Sequence, residues 1–166
     1  CMGKDALGKG ARLACGGYIP QLEENVPSDT GRMPKNLNNG NFIRPTGVAG
    51  VTESVRGWRE EIFGPVAPIA TFSGYGEEGE RTALKLANDT EYGLAAYVYT
   101  SNHPRFTRMA AGLEFGLIGY NSGVISNAAA PFGGVKQSGM GREGGPEGLE
   151  EYTELQYIGT PNPFAG

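Results

Sequence analysis

Residues 139–144 read Gly-Met-Gly-Arg-Glu-Gly. That is the spelling G-x-G-x-x-G of a loop that cradles the phosphates of a dinucleotide. Such a loop needs an apolar strand leading in, a helix opening within it, and an acid about 20 residues on to hold a ribose. Here the lead-in, Val135-Lys136-Gln137-Ser138, is mostly polar. Gly145, Pro146 and Gly148 interrupt any helix on the far side, and no acid stands near Pro161-Asn162-Pro163. The six letters therefore read as a structural loop whose glycines permit positive φ and close packing. Lys136 and Arg142 invite a phosphate-clamp reading. Cations beside glycines in a structural loop read more simply as solvated side chains.

Few other residues carry chemistry. Cys1 and Cys15 are the two cysteines, with no C-x-x-C between them. That predicts no disulfide framework and a reducing compartment. His103 is the single histidine, so no metal cluster is spelled out. It reads as a surface residue at a helix start. Cys15, in Arg-Leu-Ala-Cys-Gly-Gly-Tyr, reads as a buried structural thiol, and Cys1 has no supporting context. On their own, Glu60 and Glu61 read as a solvated pair ahead of a strand. Ser126 reads as a loop serine bonding local backbone, and Phe132 as a core phenylalanine at a loop bend.

The elements that must position these residues emerge from periodicity. Residues 5–17 read as a helix end and a short strand closing on glycines. Residues 18–40, rich in proline and asparagine, read as a surface loop. Val66–Phe72 is an apolar strand. Residues 77–89 place Ala83, Leu84 and Ala87 on one helical face, with acids in the first turn, where they suit the helix dipole. Gly93–Thr100 is a strand. Residues 101–116 set Phe106, Met109, Ala110 and Leu113 at helical spacing, capped by Ser101 or Asn102, with Pro104 in the first turn and Gly116 ending the helix. Leu117–Asn121 is a further strand. Strands alternating with helices predict an α/β fold: a three-layer parallel sheet with helices on both faces. After residue 121 a long glycine-rich loop precedes a helical turn at 146–152 and the alternating Thr153–Gly159, read as a C-terminal strand able to pair with a partner's sheet.

Composition bounds the class. The chain has 166 residues, 39% hydrophobic and 19% charged, enough for a soluble globular core, and its 28 glycines fall singly or in pairs without a collagen-like period. The net charge of -4 and the lack of a basic stripe argue against nucleic acid as a partner. No apolar run approaches the ~20 residues a membrane span needs. Cys1-Met2-Gly3-Lys4-Asp5 does not read as a secretory signal.

Several segments, in order, carry a resemblance. Glu60-Glu61-Ile62-Phe63-Gly64-Pro65, continuing through Phe72, is one. Ala87–Thr100 is a second. Pro131-Phe132-Gly133-Gly134, then Lys136-x-Ser138-Gly139-x-Gly141-Arg142-Glu143, and finally Glu151-Tyr152-Thr153 complete the set. Together the chain resembles the C-terminal portion of the NAD(P)-dependent aldehyde dehydrogenases over about residues 5–160, leaving out 18–40. Ile125-Ser126-Asn127 resembles their succinate-semialdehyde branch. The length of the 18–40 segment and Trp58 just before the acidic pair depart from the family pattern.

The resemblance implies residues 1–145 as part of a catalytic domain and 146–166 as a tail with an oligomerisation strand. In the family a cysteine thiolate attacks the aldehyde, hydride passes to the nicotinamide, and water releases the acid. The family's Gly-Gln-x-Cys nucleophile and Glu-Leu-Gly-Gly base segments do not occur here, nor does its Rossmann domain. No catalytic residue is therefore expected in this chain, and the isolated chain is expected to be inactive and to bind no cofactor by itself. Glu61 matches the glutamate that accepts from the nicotinamide ribose hydroxyls, and Phe63 the aromatic beside the nicotinamide ring. Phe132 matches an aromatic of the aldehyde tunnel, and Ser126 a serine that donates to a distal substrate carboxylate. The resemblance further implies NAD or NADP and a small aldehyde in the complete enzyme, a homo-oligomer, and a cytoplasmic or mitochondrial-matrix location, while charge and hydropathy lead us to expect no nucleic acid and no membrane as partners. Two other readings compete: a non-catalytic assembly module pairing through Thr153–Gly159, and an independent nucleotide-binding domain using 139–144.

Overall fold

The computed structural model describes residues 2–17 and 45–161. The surface loop expected at 18–40 lies outside the described residues. The chain divides into two compact units, Cys1–Thr82 and Ala83–Gly166.

The first unit begins with α1 (Met2–Gly8) and β1 (Arg12–Cys15). β2 (Thr46–Ala49), α2 (Arg56–Arg59) and β3 (Val66–Ile69) come next. β2 lies between the other two strands, antiparallel to β1 and parallel to β3, with Val48 opposite Leu13 and Pro68. Ala6, Ala11, Val48, Val51 and Val55 form its buried core, with Trp58 and Val66 packed against them. The unusual tryptophan is thus explained by packing. α2 is four residues long, and its N-cap residue Val55 offers no side-chain acceptor. Asp5 supplies one from α1: its Oδ2 accepts from Arg56 N–H at 2.8 Å, which satisfies an end donor that the short helix cannot satisfy itself. Lys9 Nζ holds the same carboxylate at 2.7 Å.

α3 (Gly76–Asn88) carries the boundary between the units, with Glu77 and Glu78 in its first turn as expected. The second unit continues with β4 (Tyr92–Gly93), β5 (Ala95–Val98), α4 (His103–Gly112) and β6 (Leu117–Tyr120). β7 (Val135–Lys136) and α5 (Glu147–Glu150) complete it. β5 and β6 pair in parallel, Ala95 opposite Leu117 and Val98 opposite Tyr120. Their crossover is α4, as the strand–helix–strand pattern predicts. Asn102 caps α4, its Oδ1 accepting from Arg105 N–H at 2.9 Å. Met109 and Leu113 are buried. Leu84 of α3 packs over Gly112, where an added Cβ would lie 2.8 Å from Leu84 Cδ1. Asn88 bridges the same corner, donating to Gly112 O at 2.7 Å and accepting from Glu114 N–H at 3.0 Å.

The strand and helix assignments hold in outline, and several expectations are corrected. The described strands form three small ladders, β1-β2-β3, β4-β7 and β5-β6, in place of one parallel sheet, and β1–β2 and β4–β7 are antiparallel. α4 ends at Gly112, because Leu113 leaves the helix with ψ 128°. Gly116 instead sits where the backbone meets the Gly133 carbonyl too closely for any side chain. Ala87 is exposed rather than on the packed face of α3. Cys15 is exposed, on a strand that pairs only with β2 among the described residues. The expected strand at 153–159 has no ladder partner among the described residues, and Leu155, Tyr157 and Ile158 are exposed along it. Alternation marks a two-faced segment, but a strand exists only when a neighbour supplies the other half of its hydrogen bonds.

Candidate functional site

In the first unit, α2 runs directly into the segment Glu60–Pro65, and local pairing sorts the two adjacent acids. Arg56, one turn back on α2, holds Glu60 with both prongs of its guanidinium: Nε to Oε1 at 2.9 Å and Nη2 to Oε2 at 2.7 Å. This bidentate bond lowers the Glu60 carboxyl below its usual value and raises Arg56. Glu61 lies on the next position and is exposed, and its carboxylate has no hydrogen bond or ion pair among the described residues. The solvated-pair reading fits Glu61 alone. Glu60 is tied to α2 through Arg56, and Glu61 is left as an open acceptor.

Ile62 turns inward and is half-buried, close enough that a Cβ on Gly57 would lie 3.4 Å from its Cδ1. Phe63 turns outward, 92% exposed, with φ 37°. A bulky residue in the left-handed region carries strain of about 1–3 kcal/mol, which the surrounding structure must sustain. The chain is fixed again just beyond, where Val66 N–H donates to Gly64 O and Thr46 N–H to Pro65 O, both at 2.8 Å. Glu61 and Phe63 are thus presented together, on either side of an anchored isoleucine.

In the second unit, Ser126 and Phe132 lie on the loop between β6 and β7. Its neighbours close local turns: Ser122 Oγ donates to Val124 O at 2.8 Å, and Asn127 Oδ1 accepts from Ala129 N–H at 2.9 Å. Ser126 is exposed, and its hydroxyl makes no hydrogen bond among the described residues. The alternative of a serine bonding its own backbone is not what the loop shows. Phe132 is half-buried and its backbone bridges Glu143, with N–H to O distances of 2.6 and 2.7 Å in the two directions. It lines an open cleft of about 650 Å³ together with Met140, Arg142, Leu149 and Tyr152, and Ser126 is not in that wall.

The glycine-rich stretch uses its cations internally. Arg142 Nη1 donates to Gly134 O at 2.9 Å and Gly141 O at 2.6 Å. Lys136 Nζ donates to the carbonyls of Asn88 and Thr90, both at 3.1 Å, and pairs with Glu114 at 2.6 Å. Gly139, Gly141, Gly144 and Gly145 all have positive φ. β7, with two residues, leads in, and α5, with four, comes after. This is neither the strand nor the helix of a dinucleotide loop. His103 is the first residue of α4, exposed, with its ring 5.6 Å from Tyr120. No group of three or more metal-ligating side chains occurs among the described residues.

One residue that composition and motif did not single out is Asn121. Its backbone sits at φ 48°, and its side chain binds Thr100 through both the N–H and the carbonyl. Its only signal in the sequence is an asparagine directly after a strand, where a left-handed residue turns the chain.

Comparison with known proteins places the chain. The model of the aldehyde dehydrogenase family matches residues 3–158. A succinate-semialdehyde dehydrogenase of Paenarthrobacter nicotinovorans is 55% identical over 125 residues, 75% of this chain and 27% of that protein. A 3-sulfolactaldehyde dehydrogenase of Pseudomonas putida is 42% identical over 93% of this chain and 27% of its own length. The crystal structure of a Mycobacterium tuberculosis aldehyde dehydrogenase complexed with NAD+ superimposes with a TM-score of 0.77 at 36% identity, covering 98% of this chain and 30% of that one. The chain thus spans little more than a quarter of the length of the curated relatives it matches. With the family model covering nearly all of it, the chain belongs to the aldehyde dehydrogenase family.

Proposed function

We propose that this chain is the C-terminal portion of an NAD(P)-dependent aldehyde dehydrogenase that oxidises a semialdehyde, succinate semialdehyde or a close analogue, to the carboxylic acid. The observation that carries this reading is the 61–63 segment: an open carboxylate and a fully presented aromatic ring, held in place by Ile62 and by the paired Glu60. The carboxylate accepts from the two ribose hydroxyls of the nicotinamide half, and the ring of Phe63 lies beside the nicotinamide. NAD or NADP supplies the hydride acceptor. These residues fit that group because neither is engaged elsewhere among the described residues. Their work is to orient it, which matters because a small misplacement of reacting atoms costs large factors in rate.

Ser126 donates one hydrogen bond to the distal anion of the aldehyde, and Phe132 forms part of the apolar wall that admits its chain. The names of the relatives support an anionic tail: succinate semialdehyde bears a carboxylate and 3-sulfolactaldehyde a sulfonate, each distal to the aldehyde. A hydroxyl donor serves both. In this reading residues 1–145 are part of the catalytic domain, and Thr153–Gly159 pairs with a second copy to build a homo-oligomer. Exposed Leu155, Tyr157 and Ile158 support that role for the tail.

The nucleophile and base segments are not in this sequence, so the purified 166-residue chain is expected to show no dehydrogenase turnover. The complete enzyme is expected to reduce NAD or NADP with succinate semialdehyde, and Glu61→Gln to raise KM for the dinucleotide about tenfold, the scale of one hydrogen bond to a charged group. Turnover by the isolated chain, or an unchanged dinucleotide KM in Glu61→Gln, would contradict the reading.

A further inference from the structure

The loop after β6 leaves the sheet at Asn121 and reaches the open hydroxyl of Ser126 five residues later. Three fixtures act on this short span. At its base, the Asn121 amide binds the Thr100 backbone from both sides: Thr100 N–H donates to Oδ1, and Nδ2 donates to Thr100 O, each at 2.9 Å. Asn121 N–H also donates to Val98 O at 3.0 Å. The side chain thereby adds a rung to the β5–β6 ladder beyond its last residue pair, while the backbone turns away at φ 48°. In the middle, Ile125 lies over Gly119 of β6. A Cβ on Gly119 would be 2.7 Å from Ile125 Cγ2 and 2.7 Å from the Tyr97 ring, so the isoleucine has room only because residue 119 has no side chain. Just past Ser126, the Asn127 turn holds Ala129 and Ala130. Between these fixtures the Ser126 hydroxyl makes no bond of its own among the described residues.

We infer that Asn121 and the Gly119–Ile125 contact are positioning elements for the anion end of the substrate. They act only through Ser126, by fixing how far its hydroxyl stands from the end of the β5–β6 ladder. The inference rests on the substrate reading of Ser126 given above and adds what holds that hydroxyl in place. Asparagine suits residue 121 because it tolerates the left-handed region and carries both a donor and an acceptor.

The test is a double-mutant cycle in the complete enzyme, read as kcat/KM for succinate semialdehyde divided by kcat/KM for butanal, which has no distal anion. Ser126→Ala is expected to lower this ratio about tenfold, the loss of one hydrogen bond to a charged group. Asn121→Gly keeps the backbone turn but removes the amide, and Gly119→Ala drives a methyl against both Ile125 and the Tyr97 ring. Each is expected to lower the ratio several-fold, with butanal turnover little changed. In the Ser126→Ala background neither is expected to lower it further, whereas a general loss of stability would act equally in both backgrounds. The inference is overturned if Asn121→Gly and Gly119→Ala leave the ratio at the wild-type value while Ser126→Ala lowers it, or if the effects multiply in the double variants. A ratio unmoved by Ser126→Ala overturns the substrate reading itself, and this inference with it. Should Asn121→Gly fail to fold, Gly119→Ala carries the same cycle alone.

Discussion

The glycine-rich stretch at 133–145 and the short segment at 61–63 look opposite in sequence and behave oppositely in structure. The first has the spelling of a cofactor loop and two cations. Yet Arg142 is bound to the Gly134 and Gly141 carbonyls, and Lys136 to those of Asn88 and Thr90. The second has only an acid beside another acid and an aromatic. Its carboxylate makes no bond within the described residues, and its ring stands in solvent on a strained backbone. What separates a charge used within the fold from one left open here is whether a neighbour within reach already satisfies it. Glu60 and Glu61 make the same point within two residues.

This contrast can be broken or sharpened by substitution. The largest effect belongs to the glycine side. Gly116→Ala drives a methyl into the Gly133 carbonyl, and since backbone cannot yield as a side-chain tip can, a loss of about 3 kcal/mol or more is expected in denaturant unfolding. Next comes Arg142→Met, which leaves two carbonyls without their donor. It is expected to cost about 1–3 kcal/mol in the same measurement while the dinucleotide KM of the complete enzyme stays put. Glu61→Gln should reverse that profile, with stability within about 0.5 kcal/mol of wild type and the change confined to dinucleotide KM. If Arg142→Met altered KM and Glu61→Gln altered stability, the two regions would have been assigned the wrong way round.

The smallest effect is a pH dependence. The Glu60 carboxyl is lowered chiefly by the hydrogen bond from Arg56. A carboxyl lowered by folding contributes stability that is present above its unfolded pKa, about 4.3, and is lost as pH falls through its folded value. Asp5, lowered by Lys9 and by the Arg56 N–H, acts in the same direction. Thermal melts of the chain between pH 6 and pH 3 are expected to show a Tm falling below about pH 4.5, with a shallower fall in Glu60→Gln. An equally steep fall in that variant would remove Glu60 from the account.

The order of elements is legible in the sequence because periodicity reports burial. Phe106 and Met109 announce the packed face of α4, and Asn102 with Pro104 its start. The breaks in the sheet are not legible, because a run such as Val66–Ile69 shows that a strand pairs but not how many neighbours it has. The exposure of Cys15 escapes the sequence too, because which face of a strand is covered depends on what packs over it and not on local composition. Among the candidate residues, the family motifs point to Glu61 and Phe63 in the first unit and to Ser126 and Phe132 in the second. Only the folded chain distinguishes the engaged Glu60 from the open Glu61, or ties Asn121 to a residue 21 positions earlier.

In the reading proposed above, the complete enzyme meets its dinucleotide through Glu61 and not through the glycine loop. The direct measurement is isothermal titration of the complete enzyme with NAD or NADP, comparing Glu61→Gln with Gly139→Ala. An added methyl at Gly139 finds no atom within 4 Å, but φ 122° strains any side chain there, so the unfolding midpoint of this variant is compared with wild type before titration. The account predicts dinucleotide affinity about tenfold weaker in Glu61→Gln and unchanged in Gly139→Ala. Affinity lost in Gly139→Ala and kept in Glu61→Gln would contradict it.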